Sequence, residues 1–358
     1  MALRVLYVFT ARKRGLVAAV GRGEAPDTLL FGLNHLHRHG ALAEFYEPEY
    51  GTTGRAVARA LGRLGPDVLQ LRTLPRFSAY DVVFLTGGWP LLLAAQLIPP
   101  ARRPKLVWLN MTLTNLLRRG GALARCVRAA IARADRVVCV AQAQQRFLQQ
   151  EAGLPAARVS VALSGTDVFF YDPDRAADQA ERGAILAAGR DAARDYRTLF
   201  AAVEHLQAPT RVVCSPRNVD GLTVPRTVTL RYDIPQTALR AEYHAARSVA
   251  IPTLGDGSTA GSDCSGTLVL LDALAMGKPA VITERASVAD YVTPGQHVRT
   301  VRPEAAAGLA DELAWMEHEP GAAGEMARAG QARVRDALTT AHFAERIASV
   351  LHELASSA

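Results

Sequence analysis

The stretch from Ser262 to Val288, SDCSGTLVLLDALAMGKPAVITERASV, predicts a loop, a helix, a tight turn and a strand in succession. Ser265 and Gly266 precede an apolar run with helical spacing, which is where a helix N-terminus is expected. Gly277 ends that helix, because a proline two residues later prevents continuation. Ala280–Ile282 then forms a short buried strand. The stretch therefore predicts one αβ unit of a parallel sheet.

The beginning of this predicted helix is a candidate site for a phosphate group. The first N–H groups of a helix, here at Gly266, Thr267 and Leu268, have no partner in a preceding turn, and the helix dipole adds partial positive charge. Asp272 follows about one and a half turns later, too far along to cap the helix. It could accept hydrogen bonds from a ribose diol. The alternative is an ordinary αβ unit in which Asp272 is a solvated helix residue.

Length and composition indicate a globular protein of two domains. The chain has 358 residues, of which 49% are hydrophobic, and this suffices for two cores. The net charge of +7 would suit a nucleic-acid-binding protein. Acidic residues are nevertheless interspersed, and no aromatic-basic RNA motif is present. We therefore expect no nucleic-acid partner.

The four cysteines are dispersed and form no C-x-x-C pair, which predicts neither a disulfide framework nor a zinc site. The N-terminal apolar run is too short for a signal peptide and lacks a cleavage pattern. No run of about 18 apolar residues is present, so no membrane-spanning helix is predicted. From these features we expect a cytoplasmic protein.

Strands and helices alternate in two similar halves, and a polar, Ala-rich segment at Asp174–Arg182 separates them. The alternation predicts an α/β fold with doubly wound parallel sheets, which bind ligands beyond the carboxyl ends of their strands. The predicted strands are Arg4–Phe9, Leu42–Tyr46, Val68–Leu71, Asp81–Thr86, Lys105–Leu109, Arg136–Val140, Val159–Ala162, Ala184–Ala188, Thr210–Cys214, Val228–Tyr232, Val249–Ile251 and Ala280–Thr283. The other predicted helices are Pro26–His39, Gly54–Leu64, Leu91–Leu97, Asn115–Ala134, Ala143–Glu151, Thr198–Leu206, Gln236–Ala246 and the helical segment Ala305–Ala358.

A second candidate site follows the first strand of the second half. That strand ends at Gly189, and Arg190 and Arg194 lie four residues apart just before a helix. Guanidinium groups suit diphosphate oxygens, because hydrogen bonds between ionised groups are stronger than neutral ones. The alternative is a solvated loop in which the arginines pair with Asp191 and Asp195.

Four stretches along the chain form a set. They are Arg133–Val140 with Arg146–Leu148, Val159–Asp167 with Phe169 and Pro173, Gly189–Leu199, and Arg240–Thr253 with Ser265–Thr283. In this order they resemble the retaining glycosyltransferases of the GT-B fold, family 4. The resemblance spans about Ala134 to Tyr291, whereas the first 130 residues match only in pattern.

This resemblance implies two Rossmann-like domains facing across a cleft. Residues 1–173 would bind the acceptor, residues 174–335 the nucleotide sugar, and residues 336–358 would form a helix that packs back on the first domain. Arg190 and Arg194 would hold the donor diphosphate, Ile234 would lie beside the base, opposite Cys214–Asn218, and Asp272 would bind the ribose. The implied donor-binding set is Gly189, Ile234, Ser265, Gly266, Thr267 and Asp272.

The chain departs from the family pattern at two catalytic positions. The family commonly has a Glu that touches the donor sugar eight residues before the position of Asp272, and Cys264 stands there. The neighbouring Asp263 could serve if the loop differs by one residue, so Asp263 joins the two arginines as a candidate catalytic residue. The family's N-domain His is also missing, and Asn110 stands at the matching strand end.

The resemblance implies a retaining transfer from a nucleotide sugar, with UDP favoured over GDP, to a hydroxyl of a small molecule, polysaccharide or lipid. No cofactor or metal is expected, since arginines and helix amides would neutralise the leaving group. Two alternatives stay open: a sugar-nucleotide epimerase of similar fold, and a degenerate transferase acting as a partner subunit. The Arg-rich stretch Leu116–Arg133 and the loop Arg12–Arg14 are candidates for contact with an anionic membrane surface, although a solvated helix in an Arg-rich protein explains them better. The sequence leaves the acceptor and the oligomeric state open.

Overall fold

The computed structural model describes residues 2–47, 65–175 and 183–356. Within these limits, residues 2–22, 29–163 and 341–356 form one compact unit, called unit 1. Residues 23–28 and 164–340 form the other, called unit 2. Each unit contains a six-stranded parallel sheet in its described residues. The predicted α/β fold with two doubly wound, Rossmann-like domains is confirmed.

The sheet of unit 1 is parallel throughout. Its strands are β1 (Leu3–Val8), β2 (Ala41–Tyr46), β3 (Val82–Leu85), β4 (Lys105–Asn110), β5 (Arg136–Cys139) and β6 (Val159–Val161). They lie in the order β2-β1-β3-β4-β5-β6. All four residues of β3, VVFL, are buried, as expected for a central strand covered on both faces. These strand positions agree with the sequence predictions within one or two residues.

The helices of unit 1 follow the strands. They are α1 (Arg14–Gly21), α2 (Gly65–Leu69), α3 (Trp89–Ala94), α4 (Leu113–Arg119), α5 (Gly121–Ile131) and α6 (Gln142–Gln150), joined by residues 341–356 of the C-terminal helix. The predicted helix Asn115–Ala134 is two helices, because Gly120 and Gly121 both adopt positive φ.

Two further predictions for unit 1 are wrong. Val68–Leu71 is not a strand but runs from α2 into the 3₁₀ helix Gln70–Ala79, since so short an apolar run does not distinguish strand from helix. Pro26–His39 is not one helix either. Positive φ angles at Phe31 and Gly32 interrupt it, leaving separate 3₁₀ turns. The predicted helix Gly54–Leu64 lies outside the described residues.

The second sheet, in unit 2, is also parallel. Its strands are β7 (Ile185–Ala188), β8 (Thr210–Cys214), β9 (Val228–Tyr232), β10 (Ser248–Ile251), β11 (Ala280–Thr283) and β12 (Arg299–Val301), in the order β12-β11-β10-β7-β8-β9. The sequence missed β12, which is only three residues long. The helices are α7 (Tyr196–Leu206), α8 (Gln236–Ala245), α9 (Thr267–Ala275), α10 (Ala306–His318) and α11 (Pro320–Ala337), followed by the C-terminal helix α12 (Thr340–Ser356).

The two units divide about ten residues earlier than the predicted boundary at 173, and again between Thr340 and Ala341. Residues from 164 onward belong to unit 2 because their polar groups bond within it. The N–H of Ser164 donates to the Tyr291 hydroxyl at 3.1 Å, and the Thr166 hydroxyl donates to the Asp272 carboxylate at 2.5 Å. Most of α12 belongs to unit 1.

Candidate functional site

The helix α9 begins directly against the end of strand β10. Gly266 precedes the helix with φ of +89°, a left-handed conformation that favours glycine. A Cβ on Gly266 would lie 3.0 Å from methyl groups of both Ile251 and Thr253. Backbone conformation and space therefore both require glycine here, and the turn brings the first amides of α9 close to the sheet edge.

The turn that bears Arg194 lies beside the same glycine. Residues 193–195 run alongside residues 252–254, with the Leu254 N–H donating to the Ala193 carbonyl at 2.8 Å and the Asp195 N–H donating to the Pro252 carbonyl at 3.1 Å. This pairing places Nη1 of Arg194 3.3 Å from the position of a Cβ on Gly266. The two turns singled out by the sequence thus meet within unit 2.

The Arg194 guanidinium is held in a fixed orientation. The residue is only 8% exposed, its Nη2 donates to the Ala188 carbonyl, and its guanidinium lies across Gly189, where a Cβ would clash with it. The Tyr196 hydroxyl donates to the Gly189 carbonyl at 2.7 Å. Glycine is therefore needed at position 189 so that the Arg194 guanidinium can lie close to the main chain. The Arg194 side chain reaches Gly266 in a rotamer that these contacts already fix.

Three buried polar atoms around Gly266 lack a hydrogen-bond partner among the described residues. They are Nη1 of Arg194, the Thr253 hydroxyl and the Ser265 hydroxyl. A buried polar group without a partner costs about 1–3 kcal/mol, so three together call for a bound acceptor. Because the cluster combines a guanidinium with the N-terminus of a nine-residue helix, an anion satisfies it best.

Arg190 does not join this cluster in the structure. Its Nη1 lies 3.1 Å from the Asp233 carboxylate, and both side chains are about half exposed, at 53% and 54%. Asp233 also accepts from the Ser215 hydroxyl at 3.2 Å. The sequence placed both arginines on one diphosphate, whereas the structure brings only Arg194 to Gly266. An exposed ion pair contributes at most about 1 kcal/mol, so it does not fix Arg190 strongly.

Asp191 and Asp195 do not pair with the arginines, as the alternative interpretation of this loop would require. Asp195 caps α7, accepting from the Thr198 N–H at 3.0 Å. Asp191 accepts from the Ala193 N–H at 2.9 Å and from the Ser262 N–H at 3.0 Å. One carboxylate therefore ties the loop after β7 to the loop that leads into α9.

Two family models match the chain. The model described as Glycosyltransferase Family 4 matches residues 28–168, and that described as Glycosyl transferases group 1 matches residues 184–318. Together they cover more than half of the chain; the first match lies mostly in unit 1 and the second lies within unit 2. The chain belongs to the glycosyltransferases of the GT-B fold. No curated protein sequence matches it significantly.

Solved structures agree with this assignment of the fold. Sucrose-phosphate synthase from Thermosynechococcus elongatus is 14% identical with a TM-score of 0.72, over 99% of this chain and 100% of that one. HepE of Anabaena in complex with UDP-glucose is 16% identical with a TM-score of 0.70, over 98% and 100%. A glycosyltransferase from Rickettsia africae ESF-5 is 13% identical with a TM-score of 0.67, over 99% of both chains. At this identity the likeness shows the fold alone.

Asp272 of the glycosyltransferase is buried, not solvated, and its carboxylate is already engaged. The Thr166 hydroxyl donates to it at 2.5 Å. Burial raises the pKa of Asp272 to about 7, and hydrogen bonds from Thr166 and Tyr171 only partly offset this. An aspartate is one methylene shorter than the family's glutamate, and the carboxylate faces Thr166. The implied ribose contact stays a prediction that these hydrogen bonds do not favour.

Sequence reasoning missed Arg285, which holds the turn before α9. Its side chain is 4% exposed and pairs with Asp256 at 3.1 Å. Its Nη2 donates to the Asp263 carbonyl at 2.7 Å, and its Nη1 lies 3.5 Å from the Ser265 carbonyl. Asp263 itself is buried. Nothing in the local sequence shows that Arg285, at the end of a different strand, reaches back to this turn.

The residues predicted beside the base lie at the same edge of the unit 2 sheet. Asn218 accepts from the Ser215 N–H at 3.1 Å and donates to the Asp191 carbonyl at 3.0 Å. Ile234 is half-buried and follows Asp233, whose φ is +48°. The hydrogen bonds of Asn218 therefore fix this segment to the loop that carries Arg194. Both lie beyond the carboxyl ends of the strands, where parallel sheets bind their ligands.

In unit 1, Asn110 has a structural role. It is fully buried, and its Oδ1 accepts from the Leu113 N–H at 3.0 Å at the start of α4. Among the described residues, no group of three or more His, Cys, Asp or Glu side chains could hold a metal ion. None of the described helices has the length and hydropathy needed to cross a membrane.

Proposed function

We propose that this glycosyltransferase moves a sugar from a nucleotide diphosphate donor, a UDP-sugar in preference to a GDP-sugar, to a hydroxyl acceptor with retention of configuration. The observation that carries the proposal is the cluster of buried polar atoms around Gly266 without partners among the described residues. In this proposal, oxygens of the donor diphosphate accept from Arg194, Thr253 and Ser265. HepE, which shares the fold, has been solved with UDP and with UDP-glucose, and this supports a uridine donor.

The proposed chemistry uses charge and position more than proton-transfer groups. As the bond between the sugar and the donor phosphate breaks, negative charge develops on the diphosphate. Arg194 and amides of the first turn of α9 stabilise that charge, with the exception of Thr267, whose N–H donates to the Cys264 carbonyl at 3.2 Å. Removing one such donor typically costs about 10²–10³ in rate. The acceptor oxygen bonds to the sugar on the same face, and its proton passes to an oxygen of the departing diphosphate. No metal is needed in this scheme.

The remaining predicted residues have narrower proposed roles. Asp263 would lie near the donor sugar in place of the family's first glutamate. Arg190 would leave its exposed ion pair with Asp233 to meet the second phosphate, which costs at most about 1 kcal/mol. Ile234 would contact the base through its main chain. Each of these three roles depends on the diphosphate site at Gly266.

Calorimetric titration of UDP and GDP into the purified chain tests the proposal. We expect UDP to bind, and Arg194→Lys to weaken binding because lysine keeps the charge but loses the bidentate fork. Arg197→Ala is the matched control, since Arg197 is exposed three residues away. Absence of binding by either nucleotide to the folded chain would refute the donor site.

Product analysis separates the proposal from its alternatives. Incubation with UDP-glucose should release UDP and free sugar slowly by hydrolysis, and faster when a correct acceptor is present. An epimerised nucleotide sugar would indicate an isomerase instead. Nucleotide binding without any donor cleavage, across a panel of donors and acceptors, would indicate a degenerate partner subunit.

A further inference from the structure

The positive charge of the chain is concentrated in one part of unit 1. Residues 82–134 contain no Asp or Glu and eight basic residues. This exceeds the net charge of +7 of the whole chain, so the rest of the sequence is close to neutral. The basic residues are Arg102, Arg103, Lys105, Arg118, Arg119, Arg125, Arg128 and Arg133. The distribution shows a local charge asymmetry that composition averaged over the chain conceals.

Four of these residues lie on α4 and α5, which form one layer with α3 and α6. The connections from β3 through β6 all advance in the same direction along the sheet, so right-handed crossovers place α3 to α6 on one face. Helix α5 packs against both α3 and α4. Arg125, Arg133 and Arg146 are exposed on this layer, and the described residues offer none of them an ion pair. We call this layer the basic face.

Aliphatic side chains project from the same face. Leu93 in α3 is 39% exposed, and Leu97, in the 3₁₀ turn that follows α3, is 83% exposed. Leu123 on α5 is 39% exposed. Leu97 has the largest exposure among the large hydrophobic residues that the structure describes. Phosphate binding by a nucleic-acid partner gives no reason to expose leucines. Aliphatic groups among arginines are typical of surfaces that enter a lipid interface.

We propose that the basic face docks on an anionic lipid bilayer. Leu93, Leu97 and Leu123 enter the boundary between headgroups and acyl chains, while Arg125 and Arg133 bind headgroup phosphates. The surface belongs to unit 1 alone and does not depend on the proposed donor chemistry. The loop Arg12–Arg14 is not part of it as a whole, because Lys13 is buried over the rings of Phe9 and Phe31.

Vesicle flotation of the full chain tests the charge requirement. We expect the protein to float with phosphatidylcholine vesicles that contain phosphatidylglycerol, and not with phosphatidylcholine alone. Binding should be lost near 1 M salt, where the Debye length is about 3 Å. Equal binding to neutral vesicles, or no flotation with anionic ones, would overturn the proposal. Preference for a DNA or RNA duplex over anionic vesicles would overturn it as well.

Matched variants locate the surface. Arg125→Glu with Arg133→Glu should lower the partition coefficient at least about 25-fold, since each basic residue near an anionic surface contributes a factor of about five. Arg226→Glu with Arg328→Glu makes the same charge change on exposed residues of unit 2. This control variant should bind anionic vesicles more strongly than the variant with Arg125→Glu and Arg133→Glu. Equal losses in both pairs would show a general charge effect and refute the assignment to the basic face.

The leucines are tested separately. Leu93→Ser with Leu97→Ser should reduce flotation with anionic vesicles at a fixed salt concentration. Leu42→Ser is the control, since Leu42 is 59% exposed on the strand β2. Because all substituted residues are exposed, the variants should fold, and thermal melts verify this. Unchanged flotation of the variant with Leu93→Ser and Leu97→Ser would refute the insertion of these leucines into the bilayer.

Discussion

The buried carboxyl of Asp272 makes the stability of unit 2 depend on pH in an unusual direction. Its pKa is raised from the ordinary value of 3.8 to about 7 in the folded chain. The folded protein then holds this proton more tightly than the unfolded chain does, so the protonated carboxyl stabilises the fold. This stabilisation is fully present below about pH 4. It is lost as the pH rises through about 7.

The size of the effect follows from that difference. At about 1.36 kcal/mol per pKa unit, ionising Asp272 in the folded state costs on the order of 4 kcal/mol over the whole window. Between pH 5 and pH 8 the loss amounts to about 3 kcal/mol. Asp272→Asn is neutral throughout, and its amide oxygen can still accept from Thr166. The variant should therefore gain about 3 kcal/mol relative to the unsubstituted chain across this range.

Urea unfolding of both proteins at several pH values between 5 and 8 measures the difference directly. The free energy of unfolding of Asp272→Asn should change less with pH, and the two curves should diverge steadily from pH 5 to about pH 7 and run parallel above that. Asp311→Asn, at an exposed position in α10, is the control and should parallel the unsubstituted protein. If Asp272→Asn kept the full pH dependence, the carboxyl would not be a buried group with a raised pKa.

Three further substitutions test the geometry of the site. Gly266→Ala should reduce UDP affinity at least tenfold and lower the melting temperature. The backbone there has φ of +89°, a left-handed conformation that costs a residue with a side chain about 1–2 kcal/mol, and a methyl group would contact its neighbours at 3.0 Å. Arg285→Met should raise KM for the donor more than it lowers kcat, since Arg285 orients the turn at Asp263 and Ser265 without touching the ligand; a pure loss of kcat would contradict this role. Asp195→Ala should cost about 1 kcal/mol of stability by removing the cap of α7, and an unchanged urea midpoint would show that the cap contributes nothing.

The strand pattern could be predicted well because several strands of these sheets are short, fully buried runs. Ile185–Ala188 and Ala280–Thr283 are examples. Prediction failed where local sequence is ambiguous, as in the apolar run Val68–Leu71, or where isolated residues adopt positive φ, as at Phe31. Such conformations depend on tertiary contacts that a sequence window does not contain.

The candidate site was predictable only in part for a related reason. The spacing of Arg190 and Arg194 does not show which one turns inward, and the pairing of residues 193–195 with 252–254 decides it. Asp191 and Arg285 act on main-chain groups of a distant loop, and no local pattern shows such contacts. The sequence singled out Asp272 as a candidate site residue, but it did not show that this side chain is buried beside Thr166.

The hydrogen bond from the Ser262 N–H to Asp191 joins two loops that belong to different strands of one sheet. Once this bond and those of Arg285 have formed during folding, the main chain around Gly266 has little conformational freedom left to lose. The proposed nucleotide donor would thus meet a site whose backbone is already arranged. More of the interaction free energy then appears as affinity, because less is consumed in immobilising flexible segments.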